Sequence, residues 1–311
     1  MLLGPDSAER PRASVIVPHF NQPEHLVRCL QALAAQRIDW GGFEILVVDN
    51  GSRLSLGPLQ ATWPQVRFLV ERERGPGPAR NRGAAEARGE VLAFVDADVV
   101  VAPGWLQAGL DALARHPESP VGGDVRIRVR DPARMTGVEA FEAVFAFRQK
   151  RYITRERYSV TANLMMRREV FAAIGPFKGL EVSEDQEFGQ RGAARGHPTR
   201  FAPAMRAYHP ARRDFAEMEA KWRRVSAQLF GLHLAAGRSR WRWRLRAAVV
   251  AASPLVHGAV MLLSPRIAGL GNRLRGLAVL WRIRLARGRH MWGLAGAARD
   301  GPWVDALGWN A

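Results

Sequence analysis

Residues 13–50 read ASVIVPHFNQPEHLVRCLQALAAQRIDWGGFEILVVDN. Two short runs rich in β-branched residues, 13–18 and 43–48, flank a stretch from His25 to Gln36 whose apolar residues recur at helical spacing. Strand, helix, strand is the repeating unit of a parallel sheet. The pattern continues with VRFLV at 66–70, a helix over 79–88 and VLAFVD at 91–96. Four strands with intervening helices predict a Rossmann-like α/β half sheet, whose ligands gather at the carboxyl ends of the strands. Those ends read PHFN (Pro18–Asn21), DNGS (Asp49–Ser52) and DAD (Asp96–Asp98), so three polar strand ends converge on one crevice.

The last of these ends lies in FVDADVVV, residues 94–101. Read as one extended segment, Asp96 and Asp98 point the same way. Two carboxylates side by side in a half-buried place are unfavourable unless a positive charge lies between them, and a divalent cation is the expected one.

Beyond the fourth strand come VGGDVRIRV at 121–129, a helical stretch near 135–150, SVTANLMM at 159–166, a helix from Arg167 to Ile174 and the acidic cluster EVSEDQEF at 181–188. A boundary near Pro210–Asp214 divides a domain of residues 1–212 from an extension of residues 213–311. The chain has 311 residues and a formal net charge of +17. From Arg212 onward there are 18 Lys/Arg against 5 Asp/Glu, which places +13 of that charge, and seven of the ten tryptophans, in the last third. There, WRWRLR (241–246) leads into the apolar run 247–263, and a second Arg/Leu/Trp segment follows at 274–289. Arginine and tryptophan flanking apolar helices suit a helix lying in, or dipping into, a membrane interface. An ordinary buried helical hairpin is the other reading, and seventeen residues interrupted by Pro254 are marginal for a span. A nucleic-acid binder would interleave basic and aromatic residues along a groove, so no nucleic-acid partner is expected. A single cysteine, Cys29, allows no intrachain disulfide and suits a reducing compartment. MLLGPDSAERPR at the start carries no long apolar run and no cleavage site, so no secretory signal is expected.

Four blocks in order, SVIVPHFNQPEHLVRCLQAL, EILVVDNGS, GPGPARNRGAAEARGEVLAFVDADVVVAPGWL and TANLMMRREVFAAIGPF followed by SEDQEFGQRGAARGH, resemble family 2 glycosyltransferases over about residues 12–210. The resemblance implies a GT-A fold: a Rossmann-like mixed sheet flanked by helices, here with a basic, helical, membrane-proximal C-terminal extension. It implies transfer of a sugar, with inversion, from a nucleoside-diphosphate sugar to an acceptor hydroxyl. No Q-x-x-R-W pattern follows the acidic block, which favours single addition over polymerisation. A cytoplasmic site at the inner face of the cell membrane, with a glycan or lipid-linked glycan acceptor in cell-envelope assembly, completes the expectation. The alternative is a basic membrane- or nucleic-acid-binding protein with a catalytically inactive glycosyltransferase-like domain. A nucleotidyltransferase on a similar sheet would need a Gly-rich, basic loop after the first strand, and PHFNQPEH is not one.

Carried over residue by residue, the family pattern makes Asp96 and Asp98 its D-x-D. Asp98 would be the direct ligand of Mn²⁺ or Mg²⁺, with Asp96 beside the ribose or a metal-bound water. Asp49 matches the acid that contacts the base or ribose, although many members have two acids where this chain has Asp49-Asn50. Pro18 and Asn21 fall in the first nucleotide loop, and Asn21 reads equally well as a helix N-cap. Arg80, in GPGPARNRG, would face the diphosphate, or else be a solvated helix arginine. Pro76 and Pro78 rule out a dinucleotide fingerprint there. Glu184 and Asp185 match the E-D block, with Asp185 as the catalytic base; the same residues also make a good helix start. His209 sits where some members have a further metal ligand, or serves the structure of its turn. Asn163 aligns with an asparagine near the donor sugar and acceptor.

Overall fold

The four apolar runs that end in polar loops are strands in the computed structural model, which describes residues 1–179, 183–212 and 214–296. They are β1 (Ala13–His19), β2 (Phe43–Asp49), β3 (Arg67–Val70) and β4 (Val91–Phe94). With β5 (Val100–Val101), β6 (Val121–Arg128), β7 (Leu164–Arg167) and β8 (Arg200–Pro210) they form one sheet in the order β3-β2-β1-β4-β7-β6-β8-β5. Strands β1 to β4 are mutually parallel, while β7 runs antiparallel to β4, β6 to β7, and β8 to β5. The expected mixed α/β sheet is therefore present, its parallel half first.

Period-two alternation sorts the parallel strands between two apolar layers. Val15, Val17, Ile45, Val47, Ala93 and Val95 face the layer built from α1 (Pro23–Ala34) and from Trp105, Leu106 and Leu110. Ile16, Val48, Leu92 and Phe94 face the other, with Ala79, Ala84, Phe177 and Phe188. Helices α2 (Gly57–Thr62), α3 (Pro76–Glu86), α4 (Trp105–Arg115), α6 (Gln149–Arg151), α7 (Arg168–Ile174) and α8 (Glu184–Ala194) complete this unit, with α5 (Gly137–Phe145) packing elsewhere. Within SVTANLMM, residues 161–163 form a single 3₁₀ turn, and β7 starts at Leu164.

The chain forms two compact units: Met1–Arg126 with Arg148–His209, and Ile127–Phe147 with the residues from Pro210 onward. The second contains α5, α9 (Phe215–Ala235), α10 (Arg240–Ala252), α11 (Pro254–Leu263) and α12 (Leu270–Gly296). A single break near residue 212 does not foresee that 127–147 packs with the C-terminal helices. The Thr136 hydroxyl and Glu139 carboxylate form a capping box at the start of α5. Arg275 Nε donates to Met135 O at 3.0 Å, Asn272 Nδ2 to Pro132 O at 3.0 Å, and Phe141, Phe145, Met218, Met261, Leu280 and Ile283 share one core. Glu142, 3% exposed, binds Arg212.

Among the described residues one helical stretch, Arg240–Leu263, is long and apolar enough to cross a membrane, with 24 residues and a mean hydropathy of 1.6. Ser253 and Pro254 divide it into α10 and α11, Pro254 starting a new first turn where it needs no N–H. A hairpin buried on all sides does not describe it: Trp241, Val249, Leu255, Val256 and Leu263 are all at least 62% exposed.

Candidate active site at the strand ends

Parallel register sets His19, the last residue of β1, beside Asp49, the last of β2. Their side chains meet, His19 Nδ1 lying 3.0 Å from Asp49 Oδ1. Ser52 also donates its hydroxyl to Asp49, and its oxygen accepts from Asn21 N at 2.9 Å. Asn21 itself has φ +53° and accepts from Arg53 N at 2.8 Å. Asn21 is thus not the N-cap of α1, a position held by Gln22; it staples the first loop to the second.

Asn50 explains the departure from two acids. It is buried, donates to Glu71 O (3.1 Å) and Glu73 O (2.7 Å), and accepts from Gly75 N at 2.7 Å. A carboxylate could not make the two donations. The bonds hold Gly75, at φ +124°, as the residue preceding α3. Two residues on, α3 approaches its neighbour so closely that a Cβ on Gly77 would stand 2.2 Å from Lys178 O. Asn81 clasps the same segment through both Phe177 N (2.9 Å) and Phe177 O (2.8 Å).

This placement carries Arg80 inward. The residue is 3% exposed, which removes the solvated reading, and it donates to Asp96 Oδ1 at 2.7 Å and to Glu184 Oε1 at 3.2 Å. Burial alone would lower its pKa, but Asp96, Glu184 and Asp185 outweigh that and hold the guanidinium firmly charged.

The two aspartates of DAD do not project together. Strand β4 stops at Phe94, and a turn closed by Val99 N to Asp96 O at 3.0 Å takes over. Asp96 consequently points to Arg80 and Asp98 to His209, whose Nε2 lies 3.2 Å from Asp98 Oδ2. The alternation argument fails because it holds only within an extended segment. Burial raises the Asp98 pKa, His209 opposes that, and Asp96 adds to it. Two cis ligands about 2.1 Å from one octahedral cation stand roughly 3 Å apart, so a carboxylate oxygen and an imidazole nitrogen at this separation suit one divalent ion. Among the described residues no group of three or more His, Cys, Asp or Glu is gathered as a complete metal site. Further ligands would have to come from water or substrate, as is usual for magnesium.

At the start of α8 (residues 181 and 182 of EVSEDQEF lie outside the described residues), Asp185 Oδ1 accepts from Thr161 Oγ1 at 2.7 Å and from Thr161 N at 3.2 Å. Burial first, and then the Glu184 charge, push its pKa up to about 7, against the pull of Arg80 and Thr161. A carboxylate so tuned is half ionised near neutrality, the condition that favours proton abstraction. Asn163, by contrast, is fully buried: Trp105 Nε1 donates to its oxygen (2.8 Å), and its amide donates to Asp124 O (3.0 Å) and Met205 O (2.9 Å). With both amide hydrogens so engaged, it has no donor left for a sugar.

His19, Ser52, Asn50 and Thr161 belong to this constellation although sequence reasoning assigned them no role. The signals were present in part: His19 and Ser52 lie inside PHFN and DNGS, and Thr161 inside TAN.

Set beside known proteins, residues 14–175 match the model of glycosyl transferase family 2. The chain belongs to that family. It is 31% identical over 221 residues to glycosyltransferase AglE of Haloferax volcanii, covering 69% of this chain and 72% of AglE. It is 37% identical over 109 residues to the glycosyltransferase YfnE of Bacillus subtilis, but spans only 26% of YfnE. Among solved structures, S. aureus TarS 1-349 in complex with UDP-GlcNAc superposes with a TM-score of 0.51 at 16% identity, covering 88% of this chain and 90% of that one. GalNAc-T7 with UDP, GalNAc and Mn²⁺ gives a TM-score of 0.50 at 17% identity, covering 67% and 45%. Likeness at this identity shows the fold, which is GT-A with a helical C-terminal extension. The protein is a glycosyltransferase.

Proposed function

We propose that this glycosyltransferase moves a single sugar from a nucleoside-diphosphate sugar to an acceptor hydroxyl with inversion at the anomeric carbon. The observation that carries the reading is the Asp96–Arg80–Glu184 bridge, which joins the strand-end loop to the helix bearing Asp185. Asp185 takes the proton of the acceptor hydroxyl as its oxygen bonds to the anomeric carbon, and the bond from that carbon to the diphosphate oxygen breaks. Its pKa near 7 and the two donations from Thr161, which leave the second carboxylate oxygen for the acceptor, support that role. Asp49, aimed by His19 and Ser52, is the residue for a base N–H or ribose hydroxyl, with Pro18 and Asn21 shaping the loop. Arg80 holds Asp96 in place on the diphosphate side. Asp98 and His209 would hold Mn²⁺ or Mg²⁺, whose charge when bound stabilises the departing diphosphate. Each of these assignments belongs to the proposal, as does a donor of the UDP type, in keeping with the nucleotide in both structural relatives.

The second unit supports a place at the inner face of a membrane, with a lipid-linked acceptor in cell-envelope assembly. Its α10 and α11 expose Trp241, Leu245, Val249, Leu255, Val256 and Leu263, and residues 220–296 contain no Asp or Glu. Arginine-rich, apolar helices of this kind suit an anionic bilayer surface. The catalytically inactive alternative is disfavoured by the intact carboxylates.

The test is a thermal-shift panel of UDP, GDP, dTDP and CDP, with and without Mn²⁺, on wild type and Asp98→Ala. A ligand at a hundred times its Kd adds about 2.7 kcal/mol, so one nucleotide should raise Tm only with metal and only in wild type. Proton NMR of the product made with that nucleotide's sugar then reads the anomeric configuration. Retention of configuration would refute the single-displacement scheme.

A further inference from the structure

Between α6 and β7 the chain takes an unfavourable path. Tyr152–Glu156 form a π-helical turn, and Arg157 follows at φ +61°, a left-handed conformation that few residues with a side chain adopt. Such backbone persists only where its surroundings hold it, and it gathers at functional sites. Here the surroundings do hold it. Buried Gln149 donates to Gly123 O at 3.0 Å and to Ser159 Oγ at 2.9 Å, and accepts from Val160 N at 3.2 Å. Tyr158 N closes the loop on Tyr152 O at 3.2 Å. The product of this path is a pair of nearly parallel rings. Tyr152 and Tyr158 stack with centroids 5.1 Å apart and 13° between their planes, both half-buried.

The pair stands beside Asp185. Gly189 of α8 admits the loop: a Cβ there would lie 2.5 Å from Tyr158 Cα and 2.8 Å from Arg157 O. A glycine inside a helix is unfavourable for the helix itself, and this close approach is what it serves. Gly189 follows Asp185 by four residues and shares its face of α8, whereas Glu184, which meets Arg80, is turned from Gly189 by about 140°. Thr161, three residues after Tyr158, donates to Asp185 from the same segment. Burial first, then Tyr152, Glu156 and Asp185, raise the Tyr158 pKa, so the Asp185 charge reaches this phenol. Tyr158 thus belongs to the side of α8 that carries the carboxylate, not to the side that meets Arg80. A half-buried aromatic ring with a hydroxyl at its tip suits one kind of occupant at that place. The C–H groups of a sugar ring can lie on the negatively polarised face while its hydroxyls stay at the rim.

We propose that the stacked Tyr152–Tyr158 pair is the platform on which a pyranose ring of the acceptor lies while one of its hydroxyls meets Asp185. The acceptor hydroxyl then belongs to a sugar, so a lipid-linked acceptor already carries a glycan and is not a bare isoprenoid phosphate. The inference rests on the reading of Asp185 as the base and names the class of molecule that this base serves.

Saturation-transfer difference NMR of the full chain tests this, with UDP, Mn²⁺ and the methyl β-pyranosides of glucose, galactose, mannose and N-acetylglucosamine as probes. Irradiation of the aromatic protons of wild type should saturate the C–H protons along one face of at least one pyranoside. Tyr158→Phe should keep that signal. Tyr158→Leu, which fills similar space without a π face, should lose it and raise the KM for that pyranoside about tenfold, the scale of one aromatic contact. The rise in Tm with UDP and Mn²⁺ should stay as in wild type, because the nucleotide does not touch the platform. Circular dichroism melts establish that each variant is folded. A signal that survives Tyr158→Leu overturns the platform, and so does wild type that saturates none of the four pyranosides. If UDP-GlcNAc displaces the pyranoside, the platform serves the donor sugar and the proposal falls. Transfer to farnesyl phosphate without any pyranoside signal would make the acceptor a bare isoprenoid phosphate. The reading beneath fails separately: a pH midpoint of activity near 4 would remove Asp185 as base while the pyranoside signal on Tyr158 remained.

Discussion

Thr161 donates twice to the same oxygen of Asp185, from its hydroxyl at 2.7 Å and from its backbone N–H at 3.2 Å. The pair fixes the carboxylate, and among the described residues its other oxygen has no hydrogen-bond partner. Both bonds stabilise the ionised form, so they oppose the upward push of burial and Glu184 on the Asp185 pKa.

Thr161→Val keeps the shape and the backbone bond but removes the hydroxyl. Transfer should fall about tenfold, the equivalent of about 1.4 kcal/mol in a charge-assisted hydrogen bond. The pH midpoint of the residual activity should rise, because the ionised carboxylate has lost a donor. Steady-state kinetics from pH 5 to about 9 read both effects. An unchanged profile would mean that Thr161 does not act on the base.

The wild-type rate should increase with pH through about 7 and then level off, since the base must be ionised to accept a proton. Glu184 raises that pKa, so Glu184→Gln should move the midpoint down. Arg80 lowers it, so Arg80→Gln should move it up. A wild-type midpoint near 4, the ordinary aspartate value, would remove Asp185 from the role of base.

Arg80→Gln should also loosen the fold. It leaves Asp96 and Glu184 without their shared cation, and urea unfolding should show a loss of about 2–3 kcal/mol, less than for a wholly buried pair because both carboxylates keep some contact with water. Arg80→Lys should recover only part, since one ammonium cannot repeat the two separated donations. Equal stability of Arg80→Gln and wild type would show that the bridge is not formed in solution.

Removal of the divalent ion with a chelator should abolish transfer, and returning Mn²⁺ should restore it. Asp98→Ala should not be restored at any Mn²⁺ concentration, whereas His209→Ala should need roughly tenfold more ion, the scale of losing a supporting ligand. Full activity of Asp98→Ala would end its assignment as a ligand.

Asn50→Asp tests the departure from two acids. It replaces two donors to Glu71 O and Glu73 O with a carboxylate facing both carbonyls. The expected loss is about 2 kcal/mol from unmet backbone acceptors and charge repulsion, read as a drop in Tm. Activity should fall with it, because Gly75 and α3 set the position of Arg80.

The sequence by itself determined the parallel half of the sheet and the strand ends at which the candidate site residues gather. Both follow from local rules: short apolar runs rich in β-branched residues along β1, β2 and β4, helical periodicity between them, and polar residues where each strand ends. Local rules reach only as far as the element itself. They mispaired Asp96 with Asp98, because a turn begins after Phe94 and sends the two carboxylates to different partners. They could not assign Arg80, whose partners lie 16 and 104 residues away. Nor could they tell that Asn163 is saturated by Trp105, Asp124 and Met205, or that residues 127–147 pack with α12. An apolar helix face and a charged side chain state what they need buried or paired; only the tertiary structure decides which distant residue supplies it.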